Sequence, residues 1–352
     1  MKQLSPLRIM SFRRPNFVVA CLLIPFPPCF TAAPRLAGAA PGFAERPGQE
    51  RSEGATAGLE KTNPEAMGPQ AARNLLRSHL ESGQMAEAVE QGRDAIRRWP
   101  RDAELRHLLG LSYFKMAQIP LALAELKQAE ALDGSNPDVH FDLALVYLNQ
   151  SQYQPAASEL EDAVRLKPDN ALAHVLLGRA YQNSNRTVEA IEQFKTALRI
   201  DPTIPLGHYH LGYALASLGR NQEAIAEYRK EIARRPNEPN ALYQLGHALL
   251  ESGDWRTAAE FLEKAVNVNP QNGDAEYELG KARLLAGNPQ AAISALERSA
   301  SLRPGDPGPH YQLARALDTV GRHEDAQRER ERFSELKKAL PQTEGMASGR
   351  AQ

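Results

Sequence analysis

The sequence predicts an all-α fold built from an array of similar helix pairs. Five prolines fall 34 residues apart, at Pro168, Pro202, Pro236, Pro270 and Pro304. With this proline at position 32, eight repeats begin at residues 69, 103, 137, 171, 205, 239, 273 and 307. Position 7 is leucine and position 20 is alanine in every repeat. A fixed period of this length indicates supersecondary units that bury their apolar faces against their neighbours.

Apolar spacing within each repeat predicts two helices. Positions 4, 7, 8 and 11 share one face of a first helix, and positions 20, 24 and 27 share one face of a second. Small residues at positions 8 and 20 allow the two helices to pack closely. The turn carries a glycine suited to left-handed backbone in five repeats, and the proline ends the second helix. We expect helices to end near positions 14 and 31.

Repeat 171–204 shows the whole pattern, with Leu177, Gly178 and Tyr181 on the first helix, Ala190, Phe194 and Ala197 on the second, and Pro202 at the end. Residues 69–340 resemble the tetratricopeptide repeat (TPR) family in these positions. The resemblance implies a right-handed α-solenoid of antiparallel helix pairs, the TPR superhelix. It also implies a concave groove, lined by positions 2, 5, 9 and 12 of the first helices, that binds protein segments.

The two end repeats depart from the pattern. Leu76 stands where a small residue belongs, and Gly92 stands where a large one belongs. The last repeat has Arg330 and Phe333 in place of the usual pair on its second helix. Such departures are typical of capping repeats, whose outer faces meet water.

An internal departure places Glu231 at position 27, where alanine is usual. A carboxylate at a close helix contact must find a partner or take up a proton. Basic residues at 229, 230, 234 and 235 surround it in sequence, and His208 or His247 can approach it in space. A side chain turned toward solvent is the alternative.

Composition argues against several classes of function. The formal net charge of −1 and 24% charged residues do not fit a nucleic-acid-binding protein, which is normally basic. Both cysteines, Cys21 and Cys29, precede the array, so we expect no disulfide, thiolate nucleophile or cysteine-bound metal in it. Glycine-rich phosphate loops, HExxH and GxSxG are absent from the sequence. We therefore expect no enzymatic activity, no cofactor and no metal.

The first 39 residues have the character of a signal peptide. Basic residues precede the apolar run at 17–30, and Ala37-Gly38-Ala39 has the form of a cleavage site. The expected location is therefore extracytoplasmic, either periplasmic or secreted. A lipoprotein anchored through Cys21, a twin-arginine signal at Arg13-Arg14 and a cytoplasmic protein are the alternatives. Membrane contact is expected only through this segment, if it stays uncleaved or is lipidated.

Two further segments lack apolar periodicity. Residues 40–68 are rich in proline, glycine, alanine and glutamate, and they read as a disordered linker. Residues 341–352 read as a disordered tail.

The groove positions supply the candidate binding residues. Position 5 holds tyrosine in four consecutive repeats, and position 9 is mostly cationic. The candidates are Phe141, Arg179, Tyr209, Tyr213, Tyr243, His247, Tyr277, Lys281, Tyr311 and Arg315. Tyrosine is favoured at binding surfaces, although its ring can instead pack against the neighbouring helix. The earlier repeats offer an apolar wall at Leu111, Phe114, Leu145 and Leu148.

The groove chemistry suggests a protein or peptide partner with acidic groups beside hydrophobic anchors. A solvated inner face, with its cations balanced by Glu251, Asp274 and Glu278, is the alternative. The lysine–asparagine–arginine clamp that some TPR domains use for C-terminal carboxylates is not present at these positions.

Histidine recurs at position 4, in His140, His174, His208 and His310. A zinc site needs about four ligands converging on one ion at ~2.3 Å, whereas these lie one per repeat. Half-buried histidines with hydrogen-bond partners are the favoured interpretation.

These observations predict a non-catalytic TPR scaffold that binds protein segments in its groove and serves the assembly or maintenance of an envelope or secreted complex. One alternative is a substrate-presenting or regulatory subunit of an enzyme system such as a glycosyltransferase. Another is a structural protein that self-associates through its capping repeats.

Overall fold

A computed structural model describes residues 68–339, which form sixteen α-helices and, within that range, no strand. The first four repeats contain α1 (Pro69–Ser82), α2 (Met85–Arg98), α3 (Ala103–Lys115), α4 (Ile119–Leu132), α5 (Pro137–Asn149), α6 (Tyr153–Leu166), α7 (Ala171–Asn183) and α8 (Thr187–Ile200). The last four contain α9 (Gly207–Ser217), α10 (Asn221–Arg234), α11 (Pro239–Glu251), α12 (Trp255–Val268), α13 (Gly273–Leu285), α14 (Pro289–Leu302), α15 (Pro307–Thr319) and α16 (His323–Ala339).

The predicted all-α solenoid of helix pairs is confirmed. From the second repeat onward, the first helices end at position 13, and second helices end at position 30 through α14. Both ends come one residue before the sequence prediction. In six of these seven second helices a proline at position 32 disfavours helical conformation at the residue before it, and α4, followed by Gly134, ends at the same position.

Short polar side chains fix where several first helices begin. The carboxylate of Asp102 accepts a hydrogen bond from Leu105 N–H at 3.1 Å at the start of α3. Asn170 and Asn272 cap α7 and α13 in the same way. These side chains satisfy N–H groups that have no partner within the helix.

Glycine at position 8 lets the two helices of a repeat touch. A Cβ added to Gly178 would lie 2.6 Å from the ring of Phe194, and one added to Gly246 would lie 2.5 Å from Cγ of Leu262. These separations are shorter than any normal carbon–carbon contact. The large residue at position 24 therefore occupies the space that a side chain at position 8 would need.

The turn between the two helices uses left-handed backbone in every repeat. Five repeats have glycine at position 15, for example Gly253 with φ of 86°. The other three have Ala117, Ser151 and Asn185, with φ of 56°, 56° and 59°. The conformation is therefore set by the repeat and not by the residue, and alanine and serine adopt it at a cost.

The described residues form two compact parts, divided within α5 after Asp142. In the N-terminal part, the exchanged sizes of Leu76 and Gly92 compensate for each other. A Cβ added to Gly92 would lie 3.3 Å from Cδ2 of Leu76 and 2.9 Å from Cδ1 of Leu109. In this repeat the large residue is at position 8 and the glycine is at position 24, which reverses the contact between Gly178 and Phe194.

The C-terminal part, from Leu143 onward, has a core along its helix pairs. Tyr228, Phe194 and Leu160 are among its fully buried side chains. Ile293, Leu296, Leu313 and Leu317 form a cluster between α14, α15 and α16.

No helix among residues 68–339 has the length and apolar content needed to cross a membrane. The predicted signal segment, the linker up to residue 67 and the tail from residue 340 lie outside the described residues.

Candidate functional site

The candidate site is the face of the first helices that carries positions 2, 5, 9 and 12, called here the first-helix stripe. Basic side chains on this stripe lie near acidic side chains that border it on the neighbouring repeat. His247 Nδ1 on α11 lies 3.8 Å from Oε1 of Glu278 on α13. Lys281 Nζ on α13 lies 3.8 Å from Oε1 of Glu251 on α11. The stripe is therefore a continuous surface across these two repeats.

From the fourth repeat onward, exposure along position 5 rises toward the C-terminus. Val175 and Tyr209 are buried, Tyr243 and Tyr277 are half-buried, and Tyr311 is 48% exposed. The four tyrosines thus occupy the same repeat position but differ in burial. The aromatic surface open to a partner therefore lies mainly in the last three repeats.

The ring of Tyr209 belongs to the core, as the packing alternative describes. Its centroid lies 6.2 Å from that of Tyr228, 6.3 Å from Tyr213 and 5.3 Å from His210. Burial raises the pKa of the Tyr209 hydroxyl well above its usual value, with smaller contributions from Tyr213 and Glu238. Tyr213, one turn later, is half-buried.

The later tyrosines pack against charged or aromatic groups. Tyr243 stacks on His247 with centroids 6.3 Å apart, and burial raises the pKa of its hydroxyl to about 12. The guanidinium of Arg303 lies 5.7 Å from the ring centre of Tyr277. Tyr311 lies against Phe333 at 5.5 Å. These rings are held in place before any partner arrives, which lowers the entropy cost of binding.

The cations of the stripe differ in whether they have a partner. Lys281 Nζ also lies 3.5 Å from Oε2 of Glu278, so the balanced-charge alternative describes this repeat. Arg315 donates to Oε1 of Gln312 at 3.0 Å and lies 5.9 Å from the ring centre of Tyr311. Arg179 is half-buried, and its Nη1 has no hydrogen-bond partner.

The earlier repeats offer less open surface than the sequence suggested. Phe141 in the N-terminal part is half-buried, and its neighbour Asp142 bonds His107 at 2.6 Å. The expected apolar wall is mostly core, because Phe114, Leu145 and Leu148 are buried, and only Leu111 is partly accessible. Leucine and phenylalanine at these positions gain more free energy by packing between helices than they would on an open face.

The histidines at position 4 have hydrogen-bond partners within their own repeats. His174, His208 and His310 each bond position 23 of the second helix through Nδ1, with Gln193 at 2.7 Å, Glu227 at 2.7 Å and Glu329 at 2.6 Å. Arg106 and Glu125 form the same pair in the second repeat. The interpretation as histidines with hydrogen-bond partners is confirmed for these three, of which His208 and His310 are half-buried as predicted and His174 is buried.

Glu231 is buried, so the solvent-facing alternative is wrong. It is only 2% exposed, its Oε2 accepts from Tyr209 N–H at 3.4 Å, and its Oε1 lies 3.6 Å from Nη1 of Arg235. The reason is a late helix start. Leu206 has φ of 61° and α9 begins only at Gly207, which leaves first-turn N–H groups for the carboxylate to satisfy.

Sequence reasoning did not single out three residues near Arg179. Gln182 follows it at position 12 of the same stripe, and its Nε2 is buried without a partner. Tyr153 on α6 contributes to the electrostatic surroundings of the guanidinium. His210 is fully enclosed and stacks on Phe194 at 5.6 Å. The stripe position of Gln182 was readable from the repeat, whereas the other two depend on tertiary contacts.

Comparison with family models identifies the chain as a member of the tetratricopeptide repeat family. Models described as tetratricopeptide repeat match residues 107–171, 141–205, 175–239 and 243–307, and a further one matches 283–332. These matches extend over more than half of the chain, so the resemblance inferred from the sequence is confirmed. Proteins of this family generally mediate protein–protein interactions. A comparison with curated proteins gave no match.

Solved structures show the same fold. The complex titled Cut9–Hcn1 is 20% identical, with a TM-score of 0.52 over 70% of this chain and 49% of that one. PilW, titled a type IV pilus biogenesis factor, is 24% identical, with a TM-score of 0.50 over 59% of this chain and 95% of that one. MamA from Desulfovibrio magneticus RS-1 is 26% identical, with a TM-score of 0.46 over 49% and 97%. At this identity the likeness concerns the fold.

Proposed function

We propose that this protein is a non-catalytic TPR scaffold that binds segments of partner proteins along its first-helix stripe. The observation that carries the proposal is the set of accessible aromatic rings at position 5, namely Tyr243, Tyr277 and Tyr311. Aromatic side chains with a polar tip contribute much of the binding energy at protein interfaces. Membership of a family that generally mediates protein–protein interactions supports the proposal.

We further propose an extracytoplasmic site of action, in the assembly or maintenance of an envelope or secreted complex. Support comes from the sequence alone, in the basic residues, the apolar run 17–30 and the small residues that follow.

The test combines proximity labelling of the envelope fraction with variants of the stripe. Partners labelled by the wild-type protein should be captured roughly tenfold less by the double variant Tyr277→Ala and Tyr311→Ala, since interface tyrosines that anchor binding each contribute more than ~1 kcal/mol. The helical circular dichroism of the variant should match that of the wild type.

The matched control is Trp255→Ala, which removes an exposed aromatic ring from the second helix of a neighbouring repeat. It should leave capture unchanged. Equal capture by all three proteins, or a loss caused by Trp255→Ala alone, would place the binding surface elsewhere and overturn the proposal.

A further inference from the structure

Arg179 on α7 is a half-buried cation with no counter-ion in the part of the chain that the structure describes. Its Nη1 is enclosed by protein and has no hydrogen-bond partner, and burial lowers the pKa of the guanidinium. After burial, the next largest influences on this pKa are the hydroxyls of Tyr153 and Tyr209, which are uncharged at neutral pH. Among residues 68–339, no carboxylate forms an ion pair with it. The charge is thus partly removed from water with no opposite charge among the described residues to compensate it.

The other basic side chains of the stripe in the C-terminal part each have an acid or a hydrogen-bond partner nearby. Lys281 and His247 both lie beside Glu278, and Arg315 is exposed and bonded to Gln312. A carboxylate arriving there would compete with an acid already in place or interact through water. At Arg179 it would form a new ion pair in a partly desolvated setting, where Coulomb attraction is stronger than in bulk water.

Gln182 adds a second unpaired donor on the same face. It follows Arg179 by three residues, which places both side chains on one side of α7. Its Nε2 is also buried without a partner. Most buried donors in folded proteins are hydrogen-bonded, so two neighbouring exceptions on a binding face indicate that the partner comes from outside.

Resting on the proposed function, we propose that Arg179 and Gln182 form the docking point for one acidic side chain within the bound segment. Because both donors are recessed while Arg179 as a whole stays half-exposed, a carboxylate on a side-chain stem can approach them from the stripe. The stripe continues to Tyr243 and Tyr277, so the segment extends past this point and carries its apolar anchors there. The occupant is an aspartate or glutamate flanked by hydrophobic residues.

The experiment selects a random-peptide display library, with peptides fused at their C-termini, on the full-length protein. The wild type should enrich peptides with an aspartate or glutamate at one fixed position. Arg179→Met keeps an unbranched apolar stem but removes the guanidinium charge, and it should lose that preference. Lys195→Met, which removes an exposed cation paired with Glu192 on the second helix of the same repeat, should keep it.

An enriched peptide is then synthesised with its acid as glutamate and as glutamine. The exchange should weaken binding to the wild type about tenfold or more and leave binding to Arg179→Met nearly unchanged, because the two groups act as a pair. Arg179→Met should melt no lower than the wild type, since it removes an uncompensated charge.

The remaining outcomes separate this inference from the proposed function. Enriched peptides without an acidic position, or with one that Arg179→Met also selects, overturn the docking point and leave stripe binding intact. Binding that requires a free C-terminal carboxylate in synthetic peptides overturns the side-chain assignment. Selection of no peptide by any variant overturns both proposals.

Discussion

His210 shows how a single buried side chain makes stability depend on pH. It is enclosed between Phe194 and Tyr209, its Nε2 has no partner, and burial together with the charge of Arg179 lowers its pKa to about 3. Below the ordinary pKa of 6.5, the unfolded chain takes up a proton at this residue that the folded chain still refuses. Stability contributed by the neutral imidazole is therefore present above pH 6.5 and lost as the pH falls toward 3.

His210→Leu should flatten this part of the pH dependence. Each pH unit below 6.5 is expected to cost the wild type about 1.4 kcal/mol through this group, so the variant should lose about 2–3 kcal/mol less between pH 6.5 and 4.5. Urea unfolding at a series of pH values measures the difference. His323→Leu, at a side chain 76% exposed, is the control and should follow the wild type. Parallel curves for His210→Leu and the wild type would contradict the prediction.

Glu231 departs from the repeat pattern because its carboxylate accepts a hydrogen bond from the first turn of the helix that it faces. Glu231→Ala restores the usual residue of position 27 but removes the acceptor for Tyr209 N–H, so we expect a loss of about 1–3 kcal/mol of unfolding free energy. Glu231→Gln, which retains an acceptor, should lose less. Glu223→Ala removes an exposed carboxylate from the same helix and should have little effect in the same denaturant titration. A stabilised Glu231→Ala protein would show that the carboxylate is merely tolerated.

At the scale of the element, all eight repeats use the same left-handed turn, but the residues at position 15 differ in how well they tolerate it. Ala117 and Ser151 hold left-handed backbone with a Cβ, whereas Gly253 holds it without one. Ala117→Gly and Ser151→Gly should each raise the unfolding free energy by about 0.5–1 kcal/mol, because relief of strain outweighs the added freedom of the unfolded chain.

Two further variants provide the controls for the turn: Gly253→Ala is the reverse exchange, and Asn185→Gly is the same exchange at a residue that already tolerates the turn. Gly253→Ala should lower the unfolding free energy by about 1 kcal/mol, and Asn185→Gly should gain least, because asparagine tolerates this conformation. Thermal melts of the four variants give the ranking. A gain for Gly253→Ala would show that the turn relaxes to accommodate a side chain.

At the scale of the whole molecule, the helical array accounts for residues 68–339, and the proposed site of action rests on the sequence of the segment before it. Export predicts that the mature protein begins near Pro41 and is recovered outside the cytoplasm. N-terminal sequencing of the protein from fractionated cells measures this. Met1 recovered from a cytoplasmic pool would contradict export, and lipid on Cys21 would favour the anchored alternative.

The repeat register was readable from the sequence because it is a local property repeated many times. Leucine at position 7 and alanine at position 20 each fix a contact in all eight repeats, and the proline at position 32 fixes a helix end in six of them, which makes the pattern unambiguous. Pairing between Gly178 and Phe194 follows from size complementarity within one repeat. The sequence by itself therefore determined the family, the helices and the stripe on which the candidate residues lie.

Only the tertiary structure decided how each stripe residue is used. Tyr209 and Tyr311 share position 5, yet one ring is core and the other is half-exposed, because exposure depends on what the neighbouring repeat places against it. Lys281 and Arg179 share position 9, yet Lys281 lies beside Glu278 of its own helix and Glu251 of the preceding repeat, whereas no carboxylate among residues 68–339 pairs with Arg179. Period and composition fix a residue's place on its helix, while burial and charge compensation arise from the packing of many repeats together.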